Sequence, residues 1–142
     1  MSARMPGRVE REVLRRHLEA LGELRGVRGA VLFSPDGFEV ASYSVDKEAS
    51  MRLAAIGSSL AALGSAIASE AGLDSFDRTL IEGHGGTVMI TRVDGEAGLA
   101  LAVIANPDVV LGRLLWGSKH CCDEIQKTLQ NETVQSSRQP AR

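Results

Sequence analysis

Large apolar residues fall at Leu53, Ile56, Leu60, Leu63 and Ile67, in alternating steps of three and four, which stacks them along one side of a helix. The pattern predicts a long helix over residues 46–72, with Asp46 as N-cap and Glu48 in the first turn. After these, Arg52 and Glu70 are its only charges. The stripe of large residues is expected to face a core. The reverse side carries Ala54, Gly57, Ser58, Ala61, Gly64, Ser65 and Ala68, where a surface helix would carry Lys and Glu. Such a shallow, uncharged groove lets a neighbouring backbone approach closely, so the helix is expected to be buried on two sides. The second cover is either another protein surface or another element of the same chain. Gly57 and Gly64 each cost roughly 1 kcal/mol relative to Ala in a helix interior, a cost that close packing would recover. Four serines among residues 53–69, and Ala and Gly where a membrane helix needs Leu, argue against a spanning segment.

The remaining pattern fills in around that helix. Residues 1–8 contain Pro6 and Gly7 and read as a flexible lead-in. Leu14, Leu18, Leu21 and Leu24 then define an amphipathic helix. Residues 29–33 are apolar without alternation, Ser34-Pro-Asp-Gly37 is a turn, and residues 38–43 alternate. Three further strands are expected over 78–82, 87–93 and 98–105, the last again apolar throughout. A continuous apolar run suits a strand covered on both faces, so the first and fifth strands belong at the centre of a sheet. Placing them side by side gives the order 2-1-5-4-3, an α+β fold with both sheet faces covered. Asn106-Pro107 reads as the start of a last helix, with Leu111, Leu114, Ser118, Cys122, Ile125 and Leu129 on one face. Trp116 lies on the opposite, charged side with Arg113, His120 and Asp123. It is read either as a cover for the first helix, the favoured role because Trp usually hides its ring, or as a partner contact. The polar residues 130–142 read as a disordered tail, leaving one domain over 9–129.

Charge and chemistry change this picture little. Sixteen basic and eighteen acidic side chains nearly balance, which argues against nucleic-acid binding driven by charge. The arginines near the start are interleaved with Glu10, Glu12, Glu19 and Glu23 as on a solvated helix face. No secretory signal pattern is present, so a cytoplasmic location is expected. Cys121 and Cys122 are adjacent, unsuited to an ordinary loop-closing disulfide, and read as reduced helix residues. Gly83-His-Gly-Gly86 matches no phosphate-binding loop, no nucleophile elbow occurs, and His17, His84 and His120 fall in three elements. The run His120-Cys121-Cys122-Asp123 points around a helix axis and cannot converge on one ion. We therefore expect no catalytic residues, no cofactor and no metal, and read the chain as an interaction protein. The alternative is a small-ligand sensor or enzyme module on a similar sheet.

The run Gly26-Val-Arg-Gly-Ala-Val-Leu-Phe-Ser-Pro-Asp-Gly-Phe-Glu-Val-Ala41, the helix through Arg52-Leu-Ala-Ala-Ile-Gly-Ser-Ser-Leu60, and Leu101-Ala-Val-Ile-Ala105 with Leu111-Gly112 together resemble the roadblock family. That family includes the roadblock dynein light chains and the bacterial MglB proteins. The resemblance covers residues 9–129 and implies a profilin-like, five-stranded antiparallel sheet with the long helix on one face and the terminal helices on the other. It implies a homodimer in which the long helices pair through the small face, Ala54, Gly57, Ser58, Ala61, Gly64, Ser65 and Ala68, and the third strands, carrying Thr79 and Ile81, join two sheets. It further implies a scaffold or regulator of a Ras-like small GTPase that binds no nucleotide itself; no membrane insertion is expected, from the composition of the long helix. Arg52, Arg78 and Trp116 are the candidate partner contacts.

Overall fold

The two strands that are apolar without alternation lie side by side at the centre of the sheet. In the computed structural model, which describes the backbone of residues 5–138 and side chains as far as 131, β1 (Val27–Phe33) pairs antiparallel with β5 (Ala100–Ala105), Val31 opposite Ala102. β2 (Glu39–Tyr43) flanks β1, and β4 (Gly86–Arg92) and β3 (Arg78–Gly83) continue beyond β5, giving the antiparallel order β2-β1-β5-β4-β3. This is the order expected from the apolar runs.

Period-two alternation sends each central strand's side chains into two separate cores. Ala30, Leu32, Leu101 and Val103 point to the face covered by α1 (Arg8–Leu21) and α3 (Leu111–Arg138), where they meet Leu14, Leu18, Leu114 and Ile125. Val31, Phe33, Ala100 and Ala102 point the other way and pack with Ala54 of α2 (Lys47–Glu70). The three-layer arrangement follows from a sheet whose central strands have no polar side.

Local signals set the ends of α2. Asp46 accepts a hydrogen bond from the Ala49 N–H at 2.9 Å, the N-cap read from the sequence. At the other end Gly72 takes a left-handed conformation, φ 72°, and the Leu73 N–H returns to the Ala68 carbonyl at 2.8 Å. α1 starts where the Glu10 carboxylate accepts from the Gly7 N–H at 3.0 Å, and Arg15 bridges Glu12 and Glu19 along its outer face.

Three boundaries differ from expectation: α1 ends at Leu21, leaving Leu24 in the turn beyond it. Asn106-Pro107 does not open α3: the Val109 N–H closes a separate turn on the Asn106 carbonyl at 3.1 Å, and the helix begins at Leu111. The helix also runs on to Arg138, through much of the stretch expected to be a disordered tail; residues 139–142, and 1–4 of the lead-in, lie outside the described residues.

Candidate interaction surface

The orientation of α2 is the opposite of the one expected. Its small residues, not its large ones, are covered: Ala54 and Gly57 lie on the sheet, and Ser50 and Ala68 are buried as well. A Cβ on Gly57 would fall 2.8 Å from the Phe33 ring, so the absence of a side chain at 57 lets the helix sit directly on that aromatic. Gly64 meets Phe76 in the same manner, with ring atoms from 3.3 Å. Phe76 is in turn capped by the Arg92 guanidinium, 5.6 Å from the ring centroid, so the end of α2 is tied to the β3–β4 side of the sheet.

The consequence is an outer face of large apolar residues with nothing over it. Ile56, Leu63 and Ile67 are 65%, 60% and 68% exposed, and positions 56, 63 and 67 lie within about 40° of one another around the axis. Leu53 and Leu60, at the flank of this stripe, are half-buried and pack against the cluster of Val31, Phe33, Ala54 and Ile90, linking the outer face to the sheet. Leu63, Ala66, Ile67, Glu70 and Ala71 line an open, almost wholly apolar hollow of about 480 Å³. By length and composition α2 could cross a membrane, but its small face is already packed on the sheet.

The sheet adds an edge to this surface. β3 pairs with β4 alone, so its other side presents unpaired backbone groups. Register places Thr79 opposite Ile90 and Ile81 opposite Val88, which turns both toward the α2 side. Ile81 is 48% exposed and Thr79 half-buried.

Of the expected interface residues, Ala54 and Gly57 are therefore spent on the chain's own sheet, and Ala68 is buried within the chain near the end of the helix. Ser58, Ala61 and Gly64 are partly covered, and Ser65 is exposed. Arg52 is exposed four residues before Ile56, with Glu48 at 3.8 Å, and Arg78 is exposed at the start of β3. Ile56, Leu63 and Ile67, expected in the core because large apolar stripes usually go there, are exposed instead. Trp116 likewise does not cover α1; it is 69% exposed.

Polar groups lie elsewhere. His17 Nε2 is 2.8 Å from the Thr128 hydroxyl, a hydrogen bond across the α1–α3 seam, and that hydroxyl also lies 3.1 Å from the Glu124 carbonyl. Burial lowers the affinity of His17 for its proton, with His120 adding to the effect and Glu124 opposing it. Cys121 and Cys122 are free thiols buried in the core on this side of the sheet, Cys121 on the α1–α3 seam with its Sγ 3.6 Å from the His17 carbonyl. Burial, then Glu124, pushes the Cys121 thiol up to about 12, and burial raises Cys122 as well. Among the described residues no group of His, Cys, Asp and Glu is placed to hold a metal ion.

The fold is a five-stranded antiparallel sheet held between one long helix and two terminal helices, with an uncovered apolar helix face beside an open sheet edge. The chain belongs to the Roadblock/LC7 domain family, which residues 14–105 match. It is 32% identical to the uncharacterized protein MJ0310 of Methanocaldococcus jannaschii, over 78% of this chain and 95% of that one. Among solved structures it resembles MglB of Myxococcus xanthus, with a TM-score of 0.80 and 19% identity over 89% of this chain and 94% of that one. It also resembles a structure described as MglB with tetrameric arrangement, with a TM-score of 0.82 and 19% identity over 92% and 98%.

Proposed function

We propose that the protein is a cytoplasmic homodimer that binds and regulates a Ras-like small GTPase through its surface rather than through an active site. The observation that carries this reading is the apolar outer face of α2, with Ile56, Leu63 and Ile67 in water and charges only toward its ends. Exposed apolar surface of this kind on a folded domain marks an association site. Pairing α2 with a second α2 hides the stripe, and the free edge of β3 lies beside it to extend the sheet into the partner. Membership of the Roadblock/LC7 family and the likeness to MglB, one example of which is described as tetrameric, support the same reading. The apolar hollow at Leu63 is open on one side, which suits a side chain from a partner better than an enclosed small ligand.

A GTPase offers switch loops whose order depends on the γ-phosphate, so a platform of paired helices can read nucleotide state without touching nucleotide. Regulation then requires different affinities for the two states, since that difference is a binder's only hold on their equilibrium. Arg52 and Arg78 border the platform. The experiment is to titrate the protein against a Ras-like GTPase from the same cell, loaded in turn with GDP and with a non-hydrolysable GTP analogue. We expect tighter binding to one loaded form and none to free nucleotide. Binding to neither form, or tight binding of free GTP, overturns the reading; equal binding reduces it to a tether.

A further inference from the structure

Trp116 is the chain's one tryptophan, and the fold makes no use of it. An indole is the largest apolar group a protein can bury, yet this one stands in water on the outer face of α3. It is held in a defined pose: the His120 imidazole, one turn further along, stacks on it with centroids 5.2 Å apart and planes 2° from parallel. Helical spacing brings Arg113, Lys119 and His120 within about 60° of Trp116 around the axis. Neither Arg113 nor Lys119 has an ion-pair partner among the described residues. The first turn of α3 contains no acidic residue to offset the positive end of the helix, and Val110 and Leu111 add exposed apolar surface there. Asp123 ends the basic stretch, and Glu124 is engaged with Lys127 at 3.4 Å.

We infer that this patch is a second docking surface, whose occupant is an acidic segment of another protein carrying an aromatic or aliphatic anchor. The anchor lies against the indole, and carboxylates on either side reach Arg113 and Lys119. Aromatic and arginine side chains together are the composition of an interface hot spot, and two unpaired cations select a negative partner. The extent of the patch also bears on the choice. From 113 to 120 it is about 10 Å long and is interrupted by Asp123, which fits a short peptide segment and not the broad basic face that holds a protein on an anionic membrane. α3 packs on the sheet face opposite α2, so this surface stays open when α2 is paired, and the inference does not rest on the GTPase reading.

A display library of random peptides of about twelve residues, selected against the full chain, tests it. The enriched peptides should carry Asp or Glu around an apolar or aromatic residue, bind more weakly as salt rises, and shift the emission of the single tryptophan. Trp116→Ala, and separately Arg113→Glu with Lys119→Glu, should each weaken them about tenfold or more. These side chains are on the surface, so unchanged thermal unfolding would show that the variants remain folded. Enrichment of neutral or basic peptides, no enrichment, or binding that survives Trp116→Ala overturns the inference. So does an emission shift with phosphatidylserine vesicles that no enriched peptide reproduces, since that would make the patch a membrane contact.

Discussion

The ring of Phe33 lies directly beneath Gly57, and a methyl group on position 57 would stand 2.8 Å from its Cζ. Phe33 is itself buried among Val31, Ile90 and Ala102, so the ring has little room to yield. Gly57→Ala sets overpacking of about 1–3 kcal/mol against roughly 1 kcal/mol of helix propensity gained. We expect a net loss of up to about 2 kcal/mol, read from urea unfolding. Gly64→Ala is the matched control. Its methyl would meet Phe76 at 3.3 Å or more, at the half-exposed end of the helix, so its effect should be neutral or slightly stabilising.

If the outer stripe of α2 is covered in the working protein, its residues stabilise the assembly and not the single chain. Leu63→Ser and Ile67→Ser should therefore leave the unfolding temperature of dilute protein nearly unchanged. At higher protein concentration the native chain should melt later than either variant, because association adds stability by mass action. The check is a concentration series by differential scanning fluorimetry; equal dependence in all three proteins would speak against the stripe.

The architecture could be read from the sequence because Val31 to Phe33 and Leu101 to Val103 have no polar alternation, and only a doubly covered central strand tolerates that. The facing of α2 could not. Both sides of that helix are uncharged, so the usual contrast of apolar core side and polar outer side is missing, and residue size pointed the wrong way. The choice depends on Phe33, whose ring fills the space above the sheet and leaves room only for Gly57 and Ala54. Contacts between residues so distant in sequence leave no local periodic signal. The exposure of Trp116 is hidden from the sequence for a related reason: its preference for burial is a statistical tendency, whereas Gly117, the residue that meets Leu21 and Leu24 of the first helix and its turn, has no hydropathy signal at all.

His17 supplies a pH dependence of defined sign. Burial at the α1–α3 seam lowers its proton affinity below the ordinary value of 6.5, so the unfolded chain binds the proton more readily than the native one. The stability it contributes is present above about 6.5 and is lost as pH falls through the native value. Urea midpoints at pH 7.5 and pH 5 should differ more in the native protein than in His17→Gln. An identical difference in both would assign the effect to other groups.

The two cysteines should be inert while the protein is folded. With the Cys121 thiol pushed up to about 12, only about one molecule in ten thousand carries the thiolate at pH 8. Ellman's reagent should react with neither Cys121 nor Cys122 in native buffer and with both in guanidinium. The same shifts lower stability as pH rises above about 9, where the unfolded thiols ionise and the native ones do not. Rapid labelling of the native protein would contradict the buried placement.

The central claim is that the large apolar face of α2, not its small face, joins two copies of this chain. Light scattering coupled to size exclusion, across micromolar concentrations, measures it directly by comparing the native chain with Leu63→Arg. We expect twice the 15.1 kDa chain mass for the native protein and a folded species of single chain mass for the variant. A native protein of single chain mass at every concentration, or a Leu63→Arg variant that stays dimeric, would contradict it.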